Sequence, residues 1–373
     1  MKKFLLLSFI AFFCMWSLQV FSQGCVAIKN MPCTALPGFE NGATSDSAVS
    51  NSPQWEISFN SRYFRSYKHF VGSKEQKHRV EQGTEVINKV YSFDIGIVHN
   101  FKKRYFASLI LPVIFNYRSS LYEHYGNSTT ANPEQKRCAT QSNGIGDIRL
   151  TVSSWILDPQ KKRKGNVALG LGIKLPTGNA EVLDDFHRRK SNGDDSVFRK
   201  AVDQSIQLGD GGFGFSIEAQ GYQRLFKNAS LFYSGFYLFN PRNTNNNLRG
   251  GNNPVTRYNS VPDQFAVRVG MIYNLLKKKN LSATLCGRAE GLPAHDAIGK
   301  SDGFRRPGYI ISVEPGIGYR TKRVAYQLNL PVAVYRNRTK SVDDLSDPTG
   351  QKHGDAAFAD YLLNVGITYS FGK

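Results

Sequence analysis

From about residue 54 to the last residues of the chain, apolar and polar positions take turns with a period of two. The final run shows it best. Tyr361, Leu363, Val365, Ile367, Tyr369 and Phe371 alternate with Asn364, Gly366, Thr368 and Ser370. Tyr91, Phe93, Ile95 and Ile97 interleave with Ser92, Asp94 and Gly96 in the same way. So do Val167, Leu169, Leu171, Ile173 and Leu175 with Ala168, Gly170, Gly172 and Lys174. Phe265, Val267, Val269, Met271 and Tyr273 alternate with Gln264, Ala266, Arg268 and Gly270. Successive side chains of a strand point to opposite faces, so each run predicts a strand with one apolar and one polar face. Twelve such strands are predicted, over 54–67, 87–100, 104–118, 145–157, 165–176, 211–224, 229–240, 263–275, 280–290, 308–320, 324–336 and 358–371. Each is near the length a tilted strand needs to cross hydrocarbon.

The connections between these strands alternate in length. Short turns fall near 101–103, 158–165, 225–228, 277–280 and 321–323. Long polar loops fall near 68–86, 119–144, 177–210, 241–262, 291–307 and 337–357. A soluble sandwich would rarely sort its connections this way. The pattern predicts an all-β fold: a transmembrane antiparallel up-and-down β-barrel of about twelve strands. Both termini then lie with the short turns, on the side that is periplasmic in outer-membrane barrels.

The start of the chain fits export to that membrane. Lys2 and Lys3 precede an apolar stretch from Phe4 to Phe13, and Val20-Phe21-Ser22 offers a cleavage site before Gln23. Apolar residues run on almost to Phe21, but nothing basic follows to stop transfer. Acylation at Cys25 fits poorly, because Gln23 is bulky for a lipobox. The chain is therefore read as a signal peptide over 1–22, a periplasmic or plug segment over 23–53, and an outer-membrane barrel over 54–373. Cys25 and Cys33 lie close together in the middle segment and form the expected disulfide in an oxidising compartment. No CxxC or HxxxH spacing occurs, so neither a metal site nor another cofactor is expected.

The net charge of +19 does not require nucleic acid as a partner. Much of the excess sits in the short turns, as in Lys102-Lys103-Arg104, Lys161-Lys162-Arg163-Lys164, Lys277-Lys278-Lys279 and Lys322-Arg323. These read either as solvated turns or as turns drawn to anionic headgroups. Many of the 18 Tyr and 25 Phe fall at strand ends, such as Tyr63, Tyr105, Tyr117, Tyr273, Tyr319 and Phe371, where an interfacial girdle needs them. Lipid, lipopolysaccharide, the barrel-assembly machinery and a small-molecule solute are the expected partners.

If the apolar set meets lipid, the other set faces the lumen. Its charged members include Glu56, Arg62, Asp94, Asp147, Arg149, Lys174, Glu218, Arg268, Arg288, Glu290 and Glu314. Asp94, Asp147, Arg149, Lys174, Glu218, Arg268, Arg288, Glu290 and Glu314 are the candidate lumen or gate residues. Two readings remain open: the mixed charges line a polar pore, or they pair across a narrow barrel and hold it shut.

Three segments share a spacing: Gly144-Ile145-Gly146-Asp147-Ile148-Arg149-Leu150, then Lys174-Leu175-Pro176-Thr177-Gly178, then Gly209-Asp210-Gly211-Gly212-Phe213-Gly214. Phe239-Asn240-Pro241 extends the series. Together they resemble the outer-membrane barrel family associated with the meta-pathway of phenol degradation. That resemblance implies a barrel that moves small, often aromatic compounds. Locally, the same residues also read as loop entry, strand end and rim bend. Outer-membrane barrels often finish on an aromatic residue, whereas Phe371 stands two residues before the end of this sequence.

No GxSxG or other nucleophile motif occurs, although His295-Asp296 precedes Ser301. The expected function is a passive channel and not an enzyme. The alternatives are a closed barrel acting through its long loops and, less favoured, a lipid hydrolase.

Overall fold

The computed structural model describes residues 54–101, 104–159, 164–249, 253–276 and 280–372. The signal peptide, the 23–53 segment and the Cys25–Cys33 pairing lie outside them.

Twelve antiparallel staves form one closed sheet. In chain order they are β1 (Trp55–Val71), β2 (Ile87–Phe101), β3 (Tyr105–Ser120), β4 (Cys138–Ile145 and Ile148–Trp155), β5 (Gly165–Leu175) and β6 (Gly214–Phe226). They continue as β7 (Ala229–Phe239), β8 (Gln264–Leu276), β9 (Leu281–Leu292), β10 (Gly308–Arg320), β11 (Val324–Asn329 and Val332–Asn337) and β12 (Ala356–Phe371). Each stave pairs with its chain neighbours, and β12 returns to pair with β1 from Trp55↔Phe371 to Phe70↔Ala356. Both ends of the described chain therefore sit at the short-turn rim.

The alternation seen in the sequence becomes two faces. Phe59, Leu171 and Val269 are exposed on the outside, while Asn60, Arg268 and Asn364 are buried inside. A sheet in lipid must bond its own backbone groups, and closing the sheet leaves no bare edge.

Two staves are broken, and each break faces a proline. Pro112 of β3 has no N–H to donate. Opposite it β4 interrupts, and the Gly146 N–H donates to the Pro112 carbonyl at 2.8 Å. Pro315 of β10 faces the break in β11 in the same way, and Leu330 N donates to its carbonyl at 2.9 Å. Pro331 lies in that second break, a position where its missing donor costs no ladder bond.

The sequence placed the start of β4 at 145. The ladder begins at Cys138, opposite Ser120. Polar Thr140-Gln141-Ser142-Asn143 carry no apolar alternation, so this half of the stave was read as loop. Its inward Thr140 and Ser142 are buried, and Gln141 N donates to the Asp184 carboxylate of the next long connection at 2.7 Å.

The long connections are also structured. Leu183–Arg189 pairs with Asp195–Ala201, and Thr244–Leu248 pairs with Tyr258–Ser260.

Leu171 is 70% exposed near the middle of β5. Leu171→Arg is expected to destabilise the barrel in a bilayer by about 2–4 kcal/mol, as for other cations at midplane. Reversible urea unfolding in lipid vesicles measures this, and a loss near zero would place β5 outside the membrane.

Candidate functional site

The lumen is where the inward rows meet, and it falls into three layers. At the short-turn end an apolar cluster crosses the barrel, made of Phe106, Trp155, Ala168, Tyr222, Phe232 and Cys286. Trp155 lies 6.1 Å from the Phe106 ring and 5.9 Å, edge-on, from Tyr222. At the long-loop end a second cluster joins Phe64, Val90, Ile114, Ala359 and Leu362 to Leu208. Five of these are inward residues of four staves, but Leu208 comes from the 176–213 connection. Between the clusters lie many of the charges, while Arg118 and Glu56 lie beyond them at the two ends.

Most of these apolar residues escaped the simple polar-inside reading. The signal for them was present in the sequence. Tyr63-Phe64, Phe232-Tyr233 and Tyr361-Leu362-Leu363 place two or three apolar residues in a row, so one of each group must face inward.

The predicted lumen charges separate into three groups. Arg268, Arg288, Glu290 and Glu314 form one network on the wall of β8, β9 and β10. Arg288 donates to Glu290 at 3.0 and 2.8 Å and lies 3.7 Å from Glu314. Arg268 pairs closely with Glu314. The side chains of Arg288 and Glu290 are fully buried. These residues seal that wall.

Asp94, Arg149 and Glu218 form the second group and line a cavity of about 120 Å³ on the opposite side. The Arg149 guanidinium lies 3.9 Å from Glu218 and sits over the Phe236 ring at 4.4 Å. Glu218 also accepts from Thr151 and Ser216, both at 2.9 Å. Val98, Phe106, Ile110 and Phe236 supply apolar lining. The cavity thus pairs an ionic edge with aromatic and aliphatic faces.

Asp147 and Lys174, the third group, are drawn away from the lumen centre. Lys174 pairs closely with Asp210 and lies 3.8 Å from Asp147. Asp147 accepts from Gly178 N at 3.0 Å and Asp210 N at 3.2 Å. Thr177 donates its hydroxyl to the Gly146 carbonyl at 2.8 Å and accepts from Ile148 N at 2.9 Å. The three motif segments therefore meet in one knot. A Cβ on Gly178 would meet backbone atoms of Gly209 at 2.7 and 2.8 Å. Only glycine allows that approach.

The knot roots a segment that dips into the mouth. The short turn at Gln204–Ile206 is capped by Asp203, which accepts from Ser205 N at 3.0 Å. Arg306 grips Asp203 with two bonds of 2.8 Å, and the Arg118 guanidinium is 3.6 Å away. Neither Asp203 nor Arg306 stood out in the sequence, because the two are 103 positions apart. Burial pushes the Asp203 carboxyl up, but Arg118 and Arg306 outweigh it and hold the group well below the ordinary carboxylate range.

The fold defines a class of protein: a transmembrane β-barrel of the outer-membrane type. No family model matches the chain, and no curated protein matches it by sequence. Among solved structures, the COG4313 outer membrane channel from Pseudomonas putida F1 is similar, with a TM-score of 0.55 and 10% identity. The match covers 86% of this chain and 96% of that one. The translocator domain of autotransporter NalP from Neisseria meningitidis gives a TM-score of 0.44 at 11% identity, covering 87% and 92%. The Pseudomonas putida toluene transporter TodX gives 0.42 at 9% identity, covering 95% and 99%. The first of these establishes a shared fold.

Arg288→Ala would leave Glu290 and Glu314 buried beside an unfilled space. It is expected to cost about 3–5 kcal/mol in urea unfolding, the usual penalty for breaking a buried pair. A loss under about 1 kcal/mol would show that water already reaches this network.

The Asp203 value is lower in the folded protein than in the unfolded chain. Its stabilisation is therefore complete above the ordinary carboxylate value, declines as pH falls below that value and is gone below the depressed one. Intrinsic-rate-corrected hydrogen exchange at 202–208 is expected to stay constant from about pH 8 to about pH 4 and to rise below that. A rise beginning near neutral pH would contradict the assignment.

Proposed function

We propose that this protein is an outer-membrane channel of a Gram-negative bacterium, passing small molecules that carry at most one aromatic ring. The observation that carries this reading is the mid-barrel cavity. Its volume of about 120 Å³ is of the same order as the engineered apolar cavity, about 150 Å³, that takes up benzene. Phe106, Ile110 and Phe236 offer a ring its apolar surfaces, while Arg149, Glu218 and Asp94 can meet a hydroxyl or carboxylate.

The motif resemblance to barrels associated with phenol degradation supports aromatic solutes, and the likeness to an outer membrane channel fits this use. In this reading the short turns and both chain ends face the periplasm, and the long loops face outward. Export by a signal peptide and insertion by the barrel-assembly machinery go with that location. The exposed outer band would be surrounded by outer-membrane lipids, with lipopolysaccharide around the loops.

One observation favours a second reading, a closed barrel that works through its loops. Arg288, Glu290 and Glu314 are at most 1% exposed, so one side of the lumen is packed shut.

Flux into vesicles separates the two. Phenol-sized solutes are expected to equilibrate, and two-ring analogues to cross at least about tenfold more slowly, because the cavity admits one ring. Phe236→Ala is expected to narrow that ratio. Absence of flux in both proteins would support the closed barrel, and flux without size dependence would remove the cavity from the path.

A further inference from the structure

We propose that residues 202–210 are a hinged stopper in the long-loop mouth, latched by Asp203, and that the mouth opens when this segment swings out. The proposal rests on the channel reading for its purpose, but not for its geometry.

The segment occupies the lumen with backbone as well as side chain. Ile206 is fully buried. Its carbonyl accepts from the Asn116 amide at 3.0 Å and from the Ser142 hydroxyl. Asn116 and Ser142 are inward side chains of β3 and β4, so the turn sits inside the ring of staves. Two residues on, Leu208 packs among the inward apolar cluster. A loop tip bonded and packed against the inner wall takes up bore space at that level.

The two ends of the segment are held differently. The far end is welded at Asp210, through the knot with Asp147 and Lys174. Gly209 and Gly211 flank that point, and Gly211 has φ +78°, so the hinge is glycine on both sides. The near end keeps one backbone bond within its own connection, Val202 N to the Val182 carbonyl at 2.9 Å, and is tied across the mouth by charge, through Asp203 to Arg306 and Arg118. Arg306 belongs to a different long connection, 293–307, so the latch ties two loops across the mouth. The Arg306 side chain stacks on Phe304 at 4.8 Å, which fixes its direction. Removing one partner of such a pair leaves the other charge partly desolvated, whereas the welded end stays intact. Loss of the latch would therefore untie the tip from the facing loop and leave the root in place, with Val202 still bonded to Val182.

Asp203→Asn tests this, because Asn keeps the capping acceptor for Ser205 N and removes only the charge. Ile206→Cys reports the tip, read with a maleimide too bulky to enter the lumen and measured against the same chain without that cysteine. Leu208→Cys serves if Ile206→Cys does not insert. Labelling is expected to be slow with Asp203 present and at least about tenfold faster in Asp203→Asn, since opening then no longer breaks the pairs with Arg306 and Arg118. In a planar bilayer, brief rare openings should become long ones. Arg306→Lys should fall between the two.

Fast labelling with Asp203 present, or equal rates in both proteins, would overturn the stopper. Faster labelling with no openings in any variant would support the stopper and remove the channel reading. Equal, steady openings with the cysteine protected throughout would leave the channel and remove the stopper.

Discussion

The structure depends on one pairing, that of the first stave with the last. In hydrocarbon a backbone N–H without a partner costs several kcal/mol. Trp55–Phe70 and Ala356–Phe371 are far apart in the chain, yet each supplies the bonds the other needs. Once they meet, inside and outside are defined for every stave. The aromatic and aliphatic face has only lipid to meet, and the polar face has only the lumen. A slip of one residue at any ladder would turn Asp94, Arg268 or Glu314 outward.

Closure also sets the chemistry of the interior. A lumen formed by polar rows alone would be a water-filled bore. Here inward aromatic and aliphatic residues interrupt those rows at both ends, at Trp155 with Tyr222 and at Ile114 with Leu362. Charges lie between the two apolar layers and also beyond them, at Arg118 towards the long loops and at Glu56 towards the short turns. On the β8–β10 wall they satisfy one another and pack tightly. On the β2–β6 side Arg149 and Glu218 instead border open space. The same residue types thus do two jobs, and which job each takes follows from how many partners surround it.

The glycine motifs gain a physical account from this arrangement. They are separated along the chain and show no shared role when read singly. In three dimensions Gly146, Gly178 and Gly209 let three backbones approach one carboxylate, Asp147, which binds two of their amide hydrogens. In this chain the three segments therefore serve construction. They build the root of an inward loop, and neither a catalytic site nor a metal site follows from them.

Much of the fold was legible in the chain because alternation is a local signal. Lipid contact demands it at every second residue, and the breaks at Gly146 and near Pro331 only shorten the runs. Eleven of the predicted strands needed only small shifts at their ends, whereas β4 had to be lengthened by its unpatterned polar half. Tyr63, expected at a strand end, lies inside β1. The inward charges were legible for the same reason, as the polar half of a two-residue repeat. Their partners were not. Arg288 with Glu290 is close in sequence, but Arg268 with Glu314, Lys174 with Asp210 and Asp203 with Arg306 are contacts made only after the sheet closes. The sequence by itself determined which side of each strand meets lipid, because that choice is made residue by residue. Tertiary structure alone decided which charges pair, where the cavity remains and that a loop returns to the mouth, because those depend on distances between segments that share no local pattern.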